Sequence, residues 1–175
     1  MAEKKVYTLG LASVKMGAIA QDGGMGSSLA ALGYTYKDSC TLTCEDPETN
    51  DFYAEEVDDP VVSISKAGKT TLEFSLMNPS PEQLVILMGG TASASSGSGD
   101  NDTWEAPDSM PSIEKSVEIT PKQGYKIEIP RMKIEAKLDG NIGQSDLFMV
   151  KVKGTILQPT KSGEKKMKLT QLAAS

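Results

Sequence analysis

The sequence predicts a mainly β protein: an antiparallel β-sandwich or small β-barrel with one short flanking helix, about residues 80–89, and long loops. Three observations carry this. Several segments alternate apolar and polar residues with a period of two, as strands with one wet face do. Short stretches rich in Gly, Pro, Asp and Ser separate them. One segment alone, "SPEQLVILMGG" at Ser80–Gly90, carries both a helix start and a helix stop.

Residues 1–28 read as an N-terminal arm, because "GAIAQDGGMGSS" is rich in Gly and small polar residues and suits extended chain or loop. Residues 29–158 form the β domain, and 159–175 a C-terminal strand or arm. In "SCTLTC", Cys40, Leu42 and Cys44 share one face and Ser39, Thr41 and Thr43 the other. "PVVSISKAG" sets Val62 and Ile64 on one side, and "KTTLEFSLM" points Leu72, Phe74 and Leu76 inward. The "KAGK" between them fits a tight turn joining antiparallel neighbours. Further on, "SIEKSVEIT" and "GYKIEIP" are strands, and "RMKIEAKLDG" turns Met132, Ile134, Ala136 and Leu138 inward. "SDLFMVKVKGTIL" places Phe148, Val150 and Val152 together, and "KKMKLTQL" is a candidate last strand, for about eight strands in all.

The helix has Ser80 as N-cap, Pro81 at the first helical position and Glu82 at the positive end of the dipole. Leu84, Leu87 and Met88 form a packing stripe, and Gly89 or Gly90 is the stop. A helix this short needs tertiary support, so it packs on the sheets. The segment from Thr91 to Ser112 is flexible by composition.

A chain of 175 residues makes one domain and buries a core without disulfide or metal. Hydrophobic content of 38% and aromatic content of 5% call for long polar loops. The net charge of −6 argues against a basic nucleic-acid face. Histidine is absent, which removes Ser-His-Asp and Cys-His chemistry and the commonest metal ligand. Cys40 and Cys44 lie ~13 Å apart on a strand, too far for a disulfide, which needs Cα atoms within about 7 Å; they read as small buried hydrophobes with reduced thiols. Neither metal nor cofactor is expected. The N-terminus lacks a continuous apolar run of signal-peptide type, and no run reaches membrane-span length, so the reading is a protein folded in the cytosol without a membrane role.

Charge is segregated. "EDPETNDFYAEEVDDP" at Glu45–Pro60 holds eight acidic residues and no basic one, whereas Lys151–Lys168 holds six lysines and one glutamate. Two solvated surfaces are one account, and complementary patches on neighbouring copies the other. On the second account Glu45, Asp46, Asp51, Phe52, Tyr53, Glu55 and Glu56 make the contact, and Lys161, Lys165, Lys166 and Lys168 form the basic counterpart.

The order of these features is a Gly-rich arm, an acidic excursion, a hairpin, a helix ending "LMGG", a loop with a single Trp, and the strand pair "YKIEIPRMKIEAKL". Over about residues 18–159 it resembles the tail tube (major tail) proteins of bacteriophages, and it is similar to the inner-tube proteins of contractile injection systems. The resemblance implies a non-enzymatic virion protein, assembled in the host cytoplasm. It implies hexameric rings of the protein's own copies, stacked into a conduit for DNA, with tape-measure, terminator and baseplate proteins as further partners. It makes Glu45–Pro60 the ring-to-ring loop, lets the arm and the lysine-rich tail add contacts, and sets the helix near the subunit boundary. The polar face Lys126, Glu128, Lys133, Glu135 and Lys137 is the expected lumen wall, with DNA passing without sequence-specific binding.

Two rival functions remain. A carbohydrate-binding or adhesin-like β-sandwich would offer exposed Trp and Tyr platforms, whereas Trp104 is the single Trp and falls in the flexible segment. A carboxylate hydrolase would use Asp58 with Asp59, or Glu55 with Glu56, but neighbours on a strand point to opposite faces and form no site.

Overall fold

A computed structural model describes residues 6–95, 97 and 101–173. In chain order the elements are β1 (Leu9–Gly17), β2 (Leu29–Ala31), β3 (Thr41–Cys44), β4 (Glu48–Ala54), β5 (Val57–Lys66), β6 (Thr70–Leu76), α1 (Pro81–Met88), β7 (Thr91–Ser93), β8 (Thr103–Glu105), β9 (Ile113–Gln123), β10 (Tyr125–Asp139), β11 (Met149–Ile156) and β12 (Lys168–Gln171). Strand accounts for 52% of the chain and helix for 5%, all pairing is antiparallel, and the architecture is sandwich-like without a closed barrel.

The main sheet has eight strands in the order β2-β1-β9-β10-β11-β6-β3, with β12 beside β10. The 15-residue β10 organises it. One edge of β10 pairs with β9, and the other carries β12 along Tyr125–Glu128 and then β11 along Met132–Asp139. The switch falls at Pro130, which cannot donate to a ladder, and here the register with β9 also shifts. Buried Ser116 supports the same point. Its hydroxyl donates to the Pro130 carbonyl at 2.6 Å and accepts the Gly26 N–H at 2.9 Å, tying the loop before β2 to the kink.

The segment after β2 borders both sides of the curled sheet. Leu32 N–H donates to the Val14 carbonyl at 3.1 Å, and Met77 N–H donates to the Tyr34 carbonyl at 3.0 Å. Inside lies one core that includes Met16, Leu32, Leu72, Phe74, Leu76, Leu87, Val117, Ile129, Met132 and Val150.

Helix α1 packs on β10, β7 and β8, with Leu87 buried and Leu84, Ile86 and Met88 partly buried against the core. Its capping box is complete. Ser80 Oγ accepts the Gln83 N–H at 3.3 Å, and Gln83 Oε1 accepts the Ser80 N–H at 2.9 Å. Gly89 at φ 77° ends the helix. Ser80→Ala should destabilise the fold by about 1 kcal/mol, read as a shift in the urea midpoint at unchanged slope.

Several expectations are corrected. Residues 9–17 are not part of an arm but a strand of the main sheet, because β1 pairs β9 and buries Val14 and Met16. The "KAGK" stretch joins no neighbouring pair: β5 pairs β4, while β6 lies between β11 and β3. Leu138 is 43% exposed and Phe148 42%, since both lie where the sheet runs out. Cys44 is exposed at the end of β3, and only Cys40 is partly buried, where burial pushes its thiol pKa up; both thiols are free. In the segment after α1, Thr91–Ser93 pairs with Thr103–Glu105, and the Trp104 indole N–H donates to the Gly89 carbonyl at 2.9 Å. Trp104 therefore anchors the helix end rather than standing on a flexible loop.

Candidate assembly surface

The acidic excursion is a β-ribbon. Its root continues the β3–β6 pair: Cys44 faces Thr70, and Glu45 N–H donates to the Lys69 carbonyl at 2.8 Å. A side chain at Gly68 would collide with the Glu45 and Asp46 carbonyls, so Gly lets the two chains pass closely there. Beyond Pro47 the pairing resumes from Glu48 and Lys66 to Phe52 and Val62, and Glu55–Glu56 forms the turn. The register slips between Phe52 and Ala54, where Pro60 interrupts the opposing strand.

Paired residues in an antiparallel ladder share a face. One face carries Thr49, Asp51, Ser63 and Ser65, with Ser63 Oγ donating to Asp51, and is continued toward the turn by exposed Tyr53 and Val61. The other carries Phe52, Val62 and Ile64, which are 56%, 49% and 56% exposed. Nothing among the described residues covers them: all ten residues of β5 are exposed, and β4 is exposed as far as Ala54. A two-stranded ribbon is marginal by itself in water, and apolar surface left open on it marks a contact site.

Electrostatics separates this ribbon from the rest of the surface. The outer face of the main sheet neutralises itself. Glu118 bridges Lys15 at 3.4 Å and Lys126 at 3.3 Å, and Glu128 binds Lys126 at 3.3 Å and Lys168 at 4.0 Å. Arg131 grips Glu114 with two hydrogen bonds, 2.7 and 3.1 Å. Lys133 meets Glu135 at 3.5 Å, Lys137 meets Asp139 at 3.6 Å, and Lys151 meets Asp139 at 3.0 Å. By contrast, among the described residues none of the eight carboxylates from Glu45 to Asp59 has an ion-pair partner.

The expected contact residues thus fall on one projection. Glu45 and Asp46 sit at its root, Asp51, Phe52 and Tyr53 on β4, and Glu55 and Glu56 at its turn. Asp58 and Asp59 follow as consecutive exposed residues of β5. The basic patch is divided. Lys161 binds Asp22 at 2.9 Å and Lys168 reaches Glu128, which leaves Lys165 and Lys166 without an ion pair among the described residues. The expected lumen residues Lys126, Glu128, Lys133, Glu135 and Lys137 all belong to the paired face.

Sequence reasoning missed a second feature, a slot of about 700 Å³ between β1 and the segment from Gly33 to Leu42. Leu11, Leu42, Leu72, Ile119 and Ile127 line it, and Lys37 and Lys122 are at its border. No group of three or more metal-ligating side chains occurs among the described residues, and no helix is long and apolar enough to cross a membrane.

Several carboxylates titrate low because cations hold them. Hydrogen bonds from Arg131 depress Glu114, Lys151 depresses Asp139, and Lys161 depresses Asp22. For Glu118 burial pushes upward, but the hydrogen bonds and charges of Lys126 and Lys15 outweigh it and the net shift is down. A carboxyl whose folded pKa is depressed adds stability that is fully present above its unfolded pKa of about 3.9–4.3 and is lost as pH falls from there through the lower folded pKa. Unfolding free energy should therefore be flat from about pH 7 to 6 and fall between about pH 5 and 3. Urea titrations at fixed ionic strength check this, and a flat profile down to pH 3 would contradict it.

No protein-family model and no curated protein matches the chain.

Proposed function

We propose that the protein is a non-enzymatic structural subunit that joins copies of itself, as a phage tail-tube protein does, in hexameric rings stacked into a conduit for DNA. The single observation carrying this is the β4–β5 ribbon. It is marginal alone, exposes Phe52, Val62 and Ile64 on one face, and bears carboxylates without ion pairs among the described residues. A contact repeated around a ring and along a stack turns modest affinity per site into a stable assembly. The self-neutralised outer face of the main sheet suits a wall that a polyanion passes without adhering. On this reading the protein belongs to the virion.

The test is direct. Purified protein, raised through a concentration series and examined by sedimentation velocity and negative-stain microscopy, should form rings or filaments. Phe52→Glu with Ile64→Glu should keep the thermal midpoint, since both side chains are exposed, and abolish the larger species. A wild-type chain that stays monomeric across the whole series, with or without a salt such as sulfate that strengthens apolar burial, would defeat the proposal.

A further inference from the structure

We propose that the slot between β1 and β3 is the receptor for the ribbon: the distal half of β4–β5 from a second copy, residues 52–62, enters it. This deepens the self-assembly reading above and rests on it.

The argument begins with two free edges. β1 pairs with β2 only over Lys15–Gly17, and Val14 accepts from Leu32. On that side Leu9–Ser13 face no strand among the described residues. β3 has β6 on one side and ends the sheet on the other. Both edges border the same cavity, which takes its walls from Thr8–Ser13 on one side and from Cys40 and Leu42 on the other. Open edges carry unpaired N–H and C=O groups and accept an added strand readily.

The chemistry of slot and ribbon is complementary. Leu11, Leu42 and Ile127 are partly buried, and with Leu72 and Ile119 beneath them they give an apolar floor open to solvent. The ribbon's apolar face, Phe52 with Val62, supplies matching surface. Lys37 and Lys122 at the border are exposed and without an ion pair among the described residues, with Asp38 the one acidic residue in the lining. The ribbon brings Glu55, Glu56, Asp58 and Asp59. Lys66, Lys69, Lys115, Lys165 and Lys166 are competing cations without an ion pair among the described residues, but none of them lines this floor. A chain cannot satisfy its own slot this way, since its ribbon leaves β3 at Glu45 and stays exposed throughout β5.

Equal amounts of unlabelled and nitrogen-15-labelled full-length protein, mixed, assembled and treated with a carbodiimide, give the decisive readout. Linked peptides of mixed isotope report contacts between copies. Expected are mixed peptides joining Lys37 or Lys122 to Glu55, Glu56, Asp58 or Asp59. Ribbon carboxylates linked between copies only to Lys165, Lys166 or other lysines would overturn the slot and leave self-assembly standing. The absence of any mixed ribbon peptide would overturn both. In a second arm, Lys37→Glu with Lys122→Glu should lower the assembled fraction about tenfold at an unchanged melting temperature. Adding Glu55→Lys with Glu56→Lys should restore it to within about twofold of the wild type. Wild-type assembly of the first double variant would also overturn the slot.

Discussion

Replacing Glu48–Lys66 by a two-residue Asn-Gly turn is expected to leave a folded domain that no longer assembles. The domain survives because β4 and β5 contribute nothing to the buried core. The cut is closed locally by the Cys44–Thr70 pair and the Glu45–Lys69 hydrogen bond. The new connection between Glu45 and Lys69 is then Asp46-Pro47-Asn-Gly-Ala67-Gly68, six residues rich in turn formers. Shortening the excursion also lowers loop-closure entropy, by about 0.6 kcal/mol for each halving of length. Stability should thus be unchanged or raised by about 1 kcal/mol. Assembly should be lost altogether, because the deletion removes the apolar stripe and most of the carboxylates at once. Sedimentation velocity with thermal unfolding separates the outcomes. A variant that melts normally and still forms wild-type rings would exclude the ribbon from the interface.

The second large effect is internal. Phe74→Ala should cost about 3–5 kcal/mol, a large share of the roughly 5–15 kcal/mol that holds a typical domain together. Phe74 is among the largest fully buried side chains, and it sits in the middle of β6, facing Val152 across the ladder to β11. The close-packed sheet cannot collapse into the space a phenyl ring leaves. Guanidinium unfolding followed by tryptophan fluorescence measures the loss, with Trp104 as reporter at the end of α1. A cost below about 1 kcal/mol would mean that the core repacks freely there.

What the sequence disclosed follows where burial is one-sided. Leu72, Phe74 and Leu76, and Met132, Ile134 and Ala136, alternate strictly because one face of their strands meets the core. The helix was legible from its ends, since Ser80, Pro81 and Gly89 satisfy backbone groups locally. β1 was hidden by its own irregularity. Gly10 takes a φ of 68°, and a register shift between Leu11 and Ser13 breaks the period, so Leu11, Val14 and Met16 fit no simple alternation. Val62 and Ile64 did read as one face of a strand, but local pattern does not say whether a face is covered. Their exposure depends on the ribbon departing from the main sheet beyond the Glu45–Lys69 contact, where Gly68 lets the chains pass. The slot could not be read at all, because its walls come from residues 8–13, 33–42, 72 and 119–127, which meet only in the folded chain.

The pairing of β1 with β9 has a further consequence for synthesis. Val14 lies opposite Ile119, about a hundred residues later in the chain. At about 5–20 residues per second, a ribosome takes roughly 5–20 s to deliver the partner. Through that interval the first strand emerges with both flanks open, and neighbouring nascent chains on one message carry the same vulnerable segment. The bulge and left-handed glycine that obscure β1 in the sequence also make it a poor template for premature pairing.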